Sequence, residues 1–194
     1  MFKRKKNEFR PDRPDNDLLG KLLLTKKQTR ALLRWLLFSV VCLVVLLVQD
    51  VLMSRFRMFG ATTDLVPAVI FAICILQGGE SGCIFALLSS AIYQFSGSAP
   101  GAYCIVLITF IAVLAAIFRQ GYLRKGLSAL IICAALAITL YEMSVFGIEV
   151  FLGSTSADRV GRFLLTALYT LLPIPVLYPI LTSIGKIGGE TWKE

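Results

Sequence analysis

Residues 35–48 read WLLFSVVCLVVLLV and contain no charged side chain. A helix on the surface of a soluble protein carries a polar stripe along the face that water contacts, and this stretch has none. Most of the chain from Ala31 to Ile184 has the same character, because only short polar breaks interrupt it. Long apolar runs of this kind are typical of helices that cross a lipid bilayer. The sequence therefore predicts an all-α, polytopic membrane protein.

The basic residues are concentrated ahead of the first apolar run, with 11 of the 20 Lys and Arg residues between Lys3 and Arg34. Basic flanks stay on the cytoplasmic side of a membrane, so we expect the N-terminus there. The net charge of +8 is confined to this flank and does not cover a folded face, so no nucleic-acid partner is expected. Membrane lipids are the expected contact. A helix at Leu18–Leu24, followed by the basic stretch Lys26–Arg34, would lie on anionic lipid, unless the charge only orients the chain.

The apolar sequence divides into about six expected transmembrane helices. They are Leu32–Met53, Leu65–Gln77, Cys83–Phe95, Ala102–Phe118, Leu127–Leu152 and Phe163–Ile184. The second and third are short for a bilayer core of about 30 Å. A glycine-rich break at Gly78–Gly82 separates them, so residues 65–95 form either two spans or a re-entrant hairpin.

Six spans place both termini in the cytoplasm, and 16 of the 20 Lys and Arg residues then lie on the cytoplasmic side, as the positive-inside rule requires. The expected organisation is a basic cytoplasmic tail at 1–30, a six-helix membrane domain at 31–185 and a short cytoplasmic tail at 186–194. Such a protein is a multi-pass protein of the cell membrane. The three prolines of the last span, Pro173, Pro175 and Pro179, are expected to bend or break it.

Two acidic residues lie in the fifth expected span. Glu142 and Glu149 are two helical turns apart, so they project from nearly the same face. A carboxylate at the centre of a membrane helix costs roughly 2.5–3.5 kcal/mol, and such groups usually face a partner or a water-filled cavity. They mark a candidate intramembrane polar site for a proton, a cation or another ligand. The alternative is structural, with Glu149 at the interface and Glu142 bonded to a neighbouring helix.

Small residues recur at helical spacing from the glycine-rich break into the third span, at Gly78, Gly82, Ala86 and Ser90. Such a stripe lets two helix backbones approach closely. It marks a candidate helix-docking face for another membrane protein, or alternatively an internal contact among spans two to four.

Catalytic, cofactor-binding and metal-binding residues are not predicted. The chain contains no histidine, which removes the commonest general base and the commonest metal ligand. No nucleotide-binding loop, metal-ligand spacing or nucleophile elbow occurs in it. We therefore expect a protein that is not an enzyme and that needs no cofactor.

Four segments follow one another in a characteristic order. A Leu-rich first span ends in Val48-Gln49, and residues 60–65, GATTDL, stand where a proline–acid/amide–leucine entry to the second span is frequent. The turn GGESG at 78–82 and the small-residue loop SGSAPG at 96–101 complete the set. In this order, from Val44 to Phe118, the chain resembles the MreD family of rod shape-determining membrane proteins. It departs from the family at residues 85–93, where no acidic residue follows the third run.

This resemblance implies a non-catalytic membrane scaffold of the cell-wall elongation complex, which regulates cell shape and peptidoglycan synthesis through partner contacts. The implied partners are an MreC-like protein, a RodA-like glycosyltransferase and its penicillin-binding protein. MreD-like proteins are similar in architecture to the substrate-binding membrane subunits of energy-coupling-factor vitamin transporters, and this gives the alternative function. Such a subunit presents polar and aromatic residues towards an outward pocket, and the candidates here are Tyr103, Tyr141, Glu142 and Glu149.

Overall fold

The computed structural model describes residues 26–53, 63–122 and 126–187, and these contain helices and no β-strand. The α-helices are α1 (Lys26–Val48), α2 (Leu65–Gln77), α3 (Gly79–Phe95), α4 (Tyr103–Tyr122), α5 (Leu127–Phe151), α6 (Val160–Leu171) and α7 (Ile174–Lys186). A π-helical turn, Gln49–Met53, continues α1, and a 3₁₀ turn, Ala157–Arg159, precedes α6. Most of both expected tails, at 1–25 and 188–194, and the surface helix expected at Leu18–Leu24 lie outside the described residues.

Among the described residues, three helices are long and apolar enough to cross a membrane: Gln28–Val51, Tyr103–Gly121 and Leu127–Phe151. A fourth candidate is the pair Ala157–Leu171 and Ile174–Lys186, which is bent by 45°. The bend confirms the expected effect of the prolines in the last span. Pro173 has no N–H to offer the carbonyl of Tyr169, and the N–H of Leu172 donates to that carbonyl at 3.3 Å instead.

The short helix α2 forms the centre of the protein. Every residue from Leu65 to Leu76 is buried, and α2 packs against each of the other described α-helices. Its 13 residues rise only about 20 Å, less than the thickness of a bilayer core. A helix enclosed by protein need not match that thickness, because only lipid-facing backbone and side chains must do so. The three long candidates lie around it and expose large apolar side chains.

Helices α2 and α3 form an antiparallel hairpin that turns at one residue. Gly78 has φ 66°, a left-handed conformation that glycine adopts without steric cost. The expected break over Gly78–Gly82 is therefore too long, because α3 already begins at Gly79. Close packing against α2 outweighs the low helix propensity of these glycines, and Glu80 lies in the first turn, where an acid favours the helix.

Two helices have an end that differs from the one expected from the sequence. The first helix begins at Lys26 rather than near Leu32. The basic segment 119–125, between the expected spans Ala102–Phe118 and Leu127–Leu152, is partly helical, because α4 continues to Tyr122, while 123–125 lie outside the described residues. Arg119 remains in the helix because it bonds to protein carbonyls and needs no water to solvate its charge.

Candidate functional site

One end of α2, here called the Asp64 end, carries a cluster of polar side chains from four parts of the chain. The hydroxyl of Tyr93 donates to Asp64 Oδ1 at 2.7 Å, and Gln49 Nε2 donates to the same oxygen at 2.9 Å. Tyr93 is completely buried and Gln49 is 9% exposed. Burial raises the pKa of the Asp64 carboxyl, and the hydrogen bonds from Tyr93 and Gln49 oppose this rise. The cluster therefore holds one carboxyl group in a fixed position at a helix terminus.

The same cluster satisfies the backbone at the start of α2. The N–H of Val66 donates to Gln49 Oε1 at 2.9 Å, and the N–H of Asp64 donates to Thr170 Oγ1 at 3.0 Å. The first N–H groups of a helix have no partner within the helix, and the positive end of its dipole favours the nearby acid. Gln49 and Thr170 thus cap α2 from two other helices. The π-helical turn that begins at Gln49 is a local irregularity of a kind frequent at functional positions.

The loop after α3 extends the cluster. Tyr93 also donates to the carbonyl of Ser98 at 3.3 Å, and the Ser98 hydroxyl donates to Asp50 Oδ1. Asp50, in the turn that follows α1, and Asp64, just before α2, are therefore both linked to the segment 96–98. The cluster ties the ends of α1, α2, α3 and α6 to one another.

The opposite end of α2, the Arg119 end, is held by a cation. Arg119 of α4 donates from Nη1 to the carbonyl of Ile75 and, at 3.3 Å, to the carbonyl of Leu76. These are among the last carbonyls of α2, where a positive charge is favoured by the helix dipole. Arg119 is 7% exposed. Gly78 lies beside the next residue of α4, since a Cβ at Gly78 would lie 2.3 Å from Gln120 Nε2.

The two glutamates of the candidate polar site differ in their surroundings. Glu142 is 4% exposed, and its Oε1 atom has no hydrogen-bond partner among the residues that the structure describes. Glu149 is half-exposed, and its carboxylate accepts a hydrogen bond from Thr155 at 3.0 Å. Both belong to α5, and both lie near enough to Asp64 or to each other for their charges to interact. The bond to a neighbouring helix that the alternative interpretation expected for Glu142 is absent from the described residues.

The aromatic candidates lie at the same end of the helical bundle. The Tyr141 hydroxyl lies 3.6 Å from Cys104 Sγ, in the first turn of α4. The Tyr141 ring also meets Phe71 of α2 edge to face, with centroids 6.0 Å apart. Tyr103, beside Cys104, is half-exposed and interacts electrostatically with Glu149. The four candidates Tyr103, Tyr141, Glu142 and Glu149 are thus gathered around the Asp64 end.

The small-residue stripe points into the protein. A Cβ at Gly82 would lie 3.3 Å from the Cα of Cys74, so α3 and α2 approach closely there. Cys74 Sγ also donates to the carbonyl of Gly82 at 2.9 Å. Ala86 and Ser90 are buried, and Ser90 lies 3.5 Å from the hydroxyl of Thr109 in α4. The stripe therefore lies on the face of α3 that packs against α2 and α4, and Gly78 lies at the turn before α3.

Sequence reasoning missed the two capped ends of α2. Gln49 and Asp64 are noticeable as polar residues at the borders of apolar runs, but Tyr93 and Thr170 give no such signal. Arg119 lies one residue beyond the expected span Ala102–Phe118, so the sequence did not place it in a helix. A fully apolar 13-residue run with polar residues just outside it is the one signal that could have shown a buried helix with capped ends.

In the part of the chain that the structure describes, the fold is all-helical, and three or four of its helices are long and apolar enough to span a membrane. Comparison with family models, with curated proteins and with solved structures finds no match.

Proposed function

We propose that this protein is a non-catalytic membrane scaffold of the cell-wall elongation machinery, similar to MreD. One observation carries the proposal. The segments that form the resemblance are far apart in the sequence, yet Gln49, Asp64 and the loop at Ser98 are joined in one hydrogen-bonded cluster. Segments that specify a common architecture are expected to meet in this way. In this role the chain contacts an MreC-like protein, a RodA-like glycosyltransferase and its penicillin-binding protein.

The proposed topology has six membrane crossings with both termini in the cytoplasm of the cell. Its support is that α2 runs beside its neighbours from Gln49, near the end of α1, to Arg119, near the end of α4. It therefore extends for about 20 Å beside two long candidate spans. Gly78 lies at the Arg119 end, so the hairpin crosses to the side of the basic loop 119–125. In this topology the Asp64 end faces outwards.

Cysteine labelling tests the two crossings of the hairpin. In a background with the native cysteines replaced, Glu80→Cys, an exposed residue at the turn, should be labelled only from the cytoplasm. The matched control Ala102→Cys, exposed before α4, should be labelled only from outside. A re-entrant hairpin entering from outside would leave Glu80→Cys inaccessible from the cytoplasm. Reporter fusions after Lys125 and after Asp158 should give opposite sides, and the same side for both would refute six crossings.

Depletion in the native host tests the function. Loss of an elongation scaffold should turn rods into swollen or round cells, and the tagged protein should co-purify with the MreC-like partner. Re-expression of the wild type should restore the rods. Normal shape and normal wall growth after depletion would refute the proposal.

A second candidate function is a substrate-binding subunit of an energy-coupling-factor-type vitamin transporter. The observation that favours it is the gathering of Tyr103, Tyr141, Glu142 and Glu149 at the Asp64 end. This function predicts tight binding of a vitamin-sized ligand to the purified protein and a transport ATPase encoded nearby. Normal cell shape on depletion, together with such binding, would select this alternative.

A further inference from the structure

Glu142 is a buried acid that the fold leaves incompletely satisfied. It is 4% exposed, lies in the interior of α5 and has a carboxyl oxygen, Oε1, without a partner among the described residues. An unpaired polar group at such depth is costly, and native structures rarely keep one without a reason. Gln49 and Tyr93, which satisfy Asp64, form no hydrogen bond with Glu142 in the described part of the chain.

The electrostatic surroundings of Glu142 are negative. The two charged groups that act on it are Asp64 and Glu149. No basic residue of the described segments is among them, since Arg119 lies at the far end of α2. A buried carboxylate with only acidic neighbours lacks a positive group. A cationic ligand can supply this positive group.

A ligand would have to reach Glu142 from the Asp64 end, because the partly buried polar residues near Glu142 lie there. Asp64, Tyr103 and Glu149 are partly buried, whereas Glu142 is only 4% exposed. The acids Asp64 and Glu149 raise the local concentration of cations at such an entrance. Tyr103, which is partly buried and interacts electrostatically with Glu149, has a ring of the kind that ammonium groups contact.

The arrangement favours an organic cation over a metal ion. The described residues contain no group of three or more His, Cys, Asp or Glu side chains that could hold a metal. An ammonium group needs fewer ligands, because one carboxylate and a nearby aromatic face suffice for a charge-assisted hydrogen bond. We propose that Glu142 binds an alkylammonium group that enters from the Asp64 end, from either a free amine or the headgroup of an aminophospholipid. This site does not depend on the scaffold function.

Thermal unfolding of the full-length protein in detergent tests the site. Methylammonium chloride should raise the Tm relative to sodium chloride at equal ionic strength, by roughly 5–10 °C at a hundred times the Kd. Glu142→Gln removes the charge and should abolish the rise. Glu80→Gln, an exposed acid at the other end of the protein, should retain it.

A second arm distinguishes the two sources of the ammonium group. Short-chain phosphatidylethanolamine should stabilise the wild type more than phosphatidylcholine of equal chain length if the ligand is a lipid headgroup, whereas methylammonium alone acts if it is a free amine. Either result, lost in Glu142→Gln, supports the proposal. A wild type that responds to neither probe refutes it even if Glu142→Gln fails to fold. Equal stabilisation of wild type and Glu142→Gln also refutes it.

Discussion

The two ends of the central helix α2 are capped by different chemistry. At the Asp64 end, side chains from the turn after α1, from α3 and from α6 form hydrogen bonds, and two of them, Tyr93 and Gln49, donate to one carboxyl group. At the Arg119 end, one arginine side chain donates to the last carbonyls of α2, and the chain turns at a single glycine, Gly78. A network distributes its stabilisation over several bonds, so the loss of one member leaves the others in place. At the Arg119 end the stabilisation depends on one side chain. We therefore expect the removal of this side chain to cost more stability than the removal of one side chain at the Asp64 end.

Gly82→Leu should have the largest effect, because it acts where α2 and α3 approach most closely. The added side chain meets backbone, with Cys74 Cα only 3.3 Å from the position of a Cβ, and backbone cannot move aside easily. We expect a loss of about 3 kcal/mol of stability and a clear fall in protein abundance in the membrane. Quantitative blotting of membrane fractions measures this.

The matched control for this change is Gly147→Leu in α5, where nothing lies within 4 Å of an added Cβ. Its abundance should stay near that of the wild type. Normal abundance of Gly82→Leu would contradict the close internal contact. If that variant then failed to co-purify with the MreC-like partner, the stripe would be a docking face instead.

Arg119→Met should cause the second-largest loss of stability. It keeps an apolar stem of similar length but leaves the carbonyls of Ile75 and Leu76 without their cationic donor. We expect a loss of about 2 kcal/mol, seen as a fall in Tm of roughly 4–8 °C in detergent. Arg159→Met, an exposed arginine in the 3₁₀ turn, is the control and should change the Tm little. Equal effects of the two variants would show that the cation does not cap α2.

Tyr93→Phe should reduce stability less than Arg119→Met, because the other hydrogen bonds at the Asp64 end remain. It removes one hydroxyl, while Gln49 still donates to Asp64. We expect about 1 kcal/mol, or about half the shift of Arg119→Met. Tyr169→Phe removes a hydroxyl from a half-buried residue of α6 and serves as the control. A larger effect of Tyr93→Phe than of Arg119→Met would reverse the comparison between the two ends.

Gly78→Ala should have an effect no larger than that of Tyr93→Phe. An alanine at φ 66° is strained by about 1 kcal/mol, while the clash with Gln120 Nε2 is relieved by rotation of a flexible side chain. Gly121→Ala, a helical glycine with open space around it, should instead be neutral or slightly stabilising. Opposite signs in a paired Tm measurement would support the left-handed turn, and equal signs would contradict it.

The membrane character and the position of the central helix were predictable because both depend on local composition. Residues 65–77 are a continuous apolar run between polar borders, and α2 has those bounds. The bend of the last span follows from the covalent structure of proline, which lacks the N–H that a straight helix needs. The extent of the Gly78–Gly82 break was not predictable in this way, because the packing of Gly82 on Cys74 decides that its residues are helical.

The sequence by itself determined that the described residues are helical, that several of their helices are apolar enough to span a membrane, and where the apolar runs begin and end. These properties follow from the hydropathy and backbone chemistry of neighbouring residues. Only the tertiary structure decided that Arg119 is buried at the end of α2, that Tyr93 and Gln49 share the Asp64 carboxyl, and that Glu142 is left with an unpaired oxygen. Those outcomes depend on the rotation and relative depth of separate helices. Residues far apart in the chain set both, and no local pattern records them.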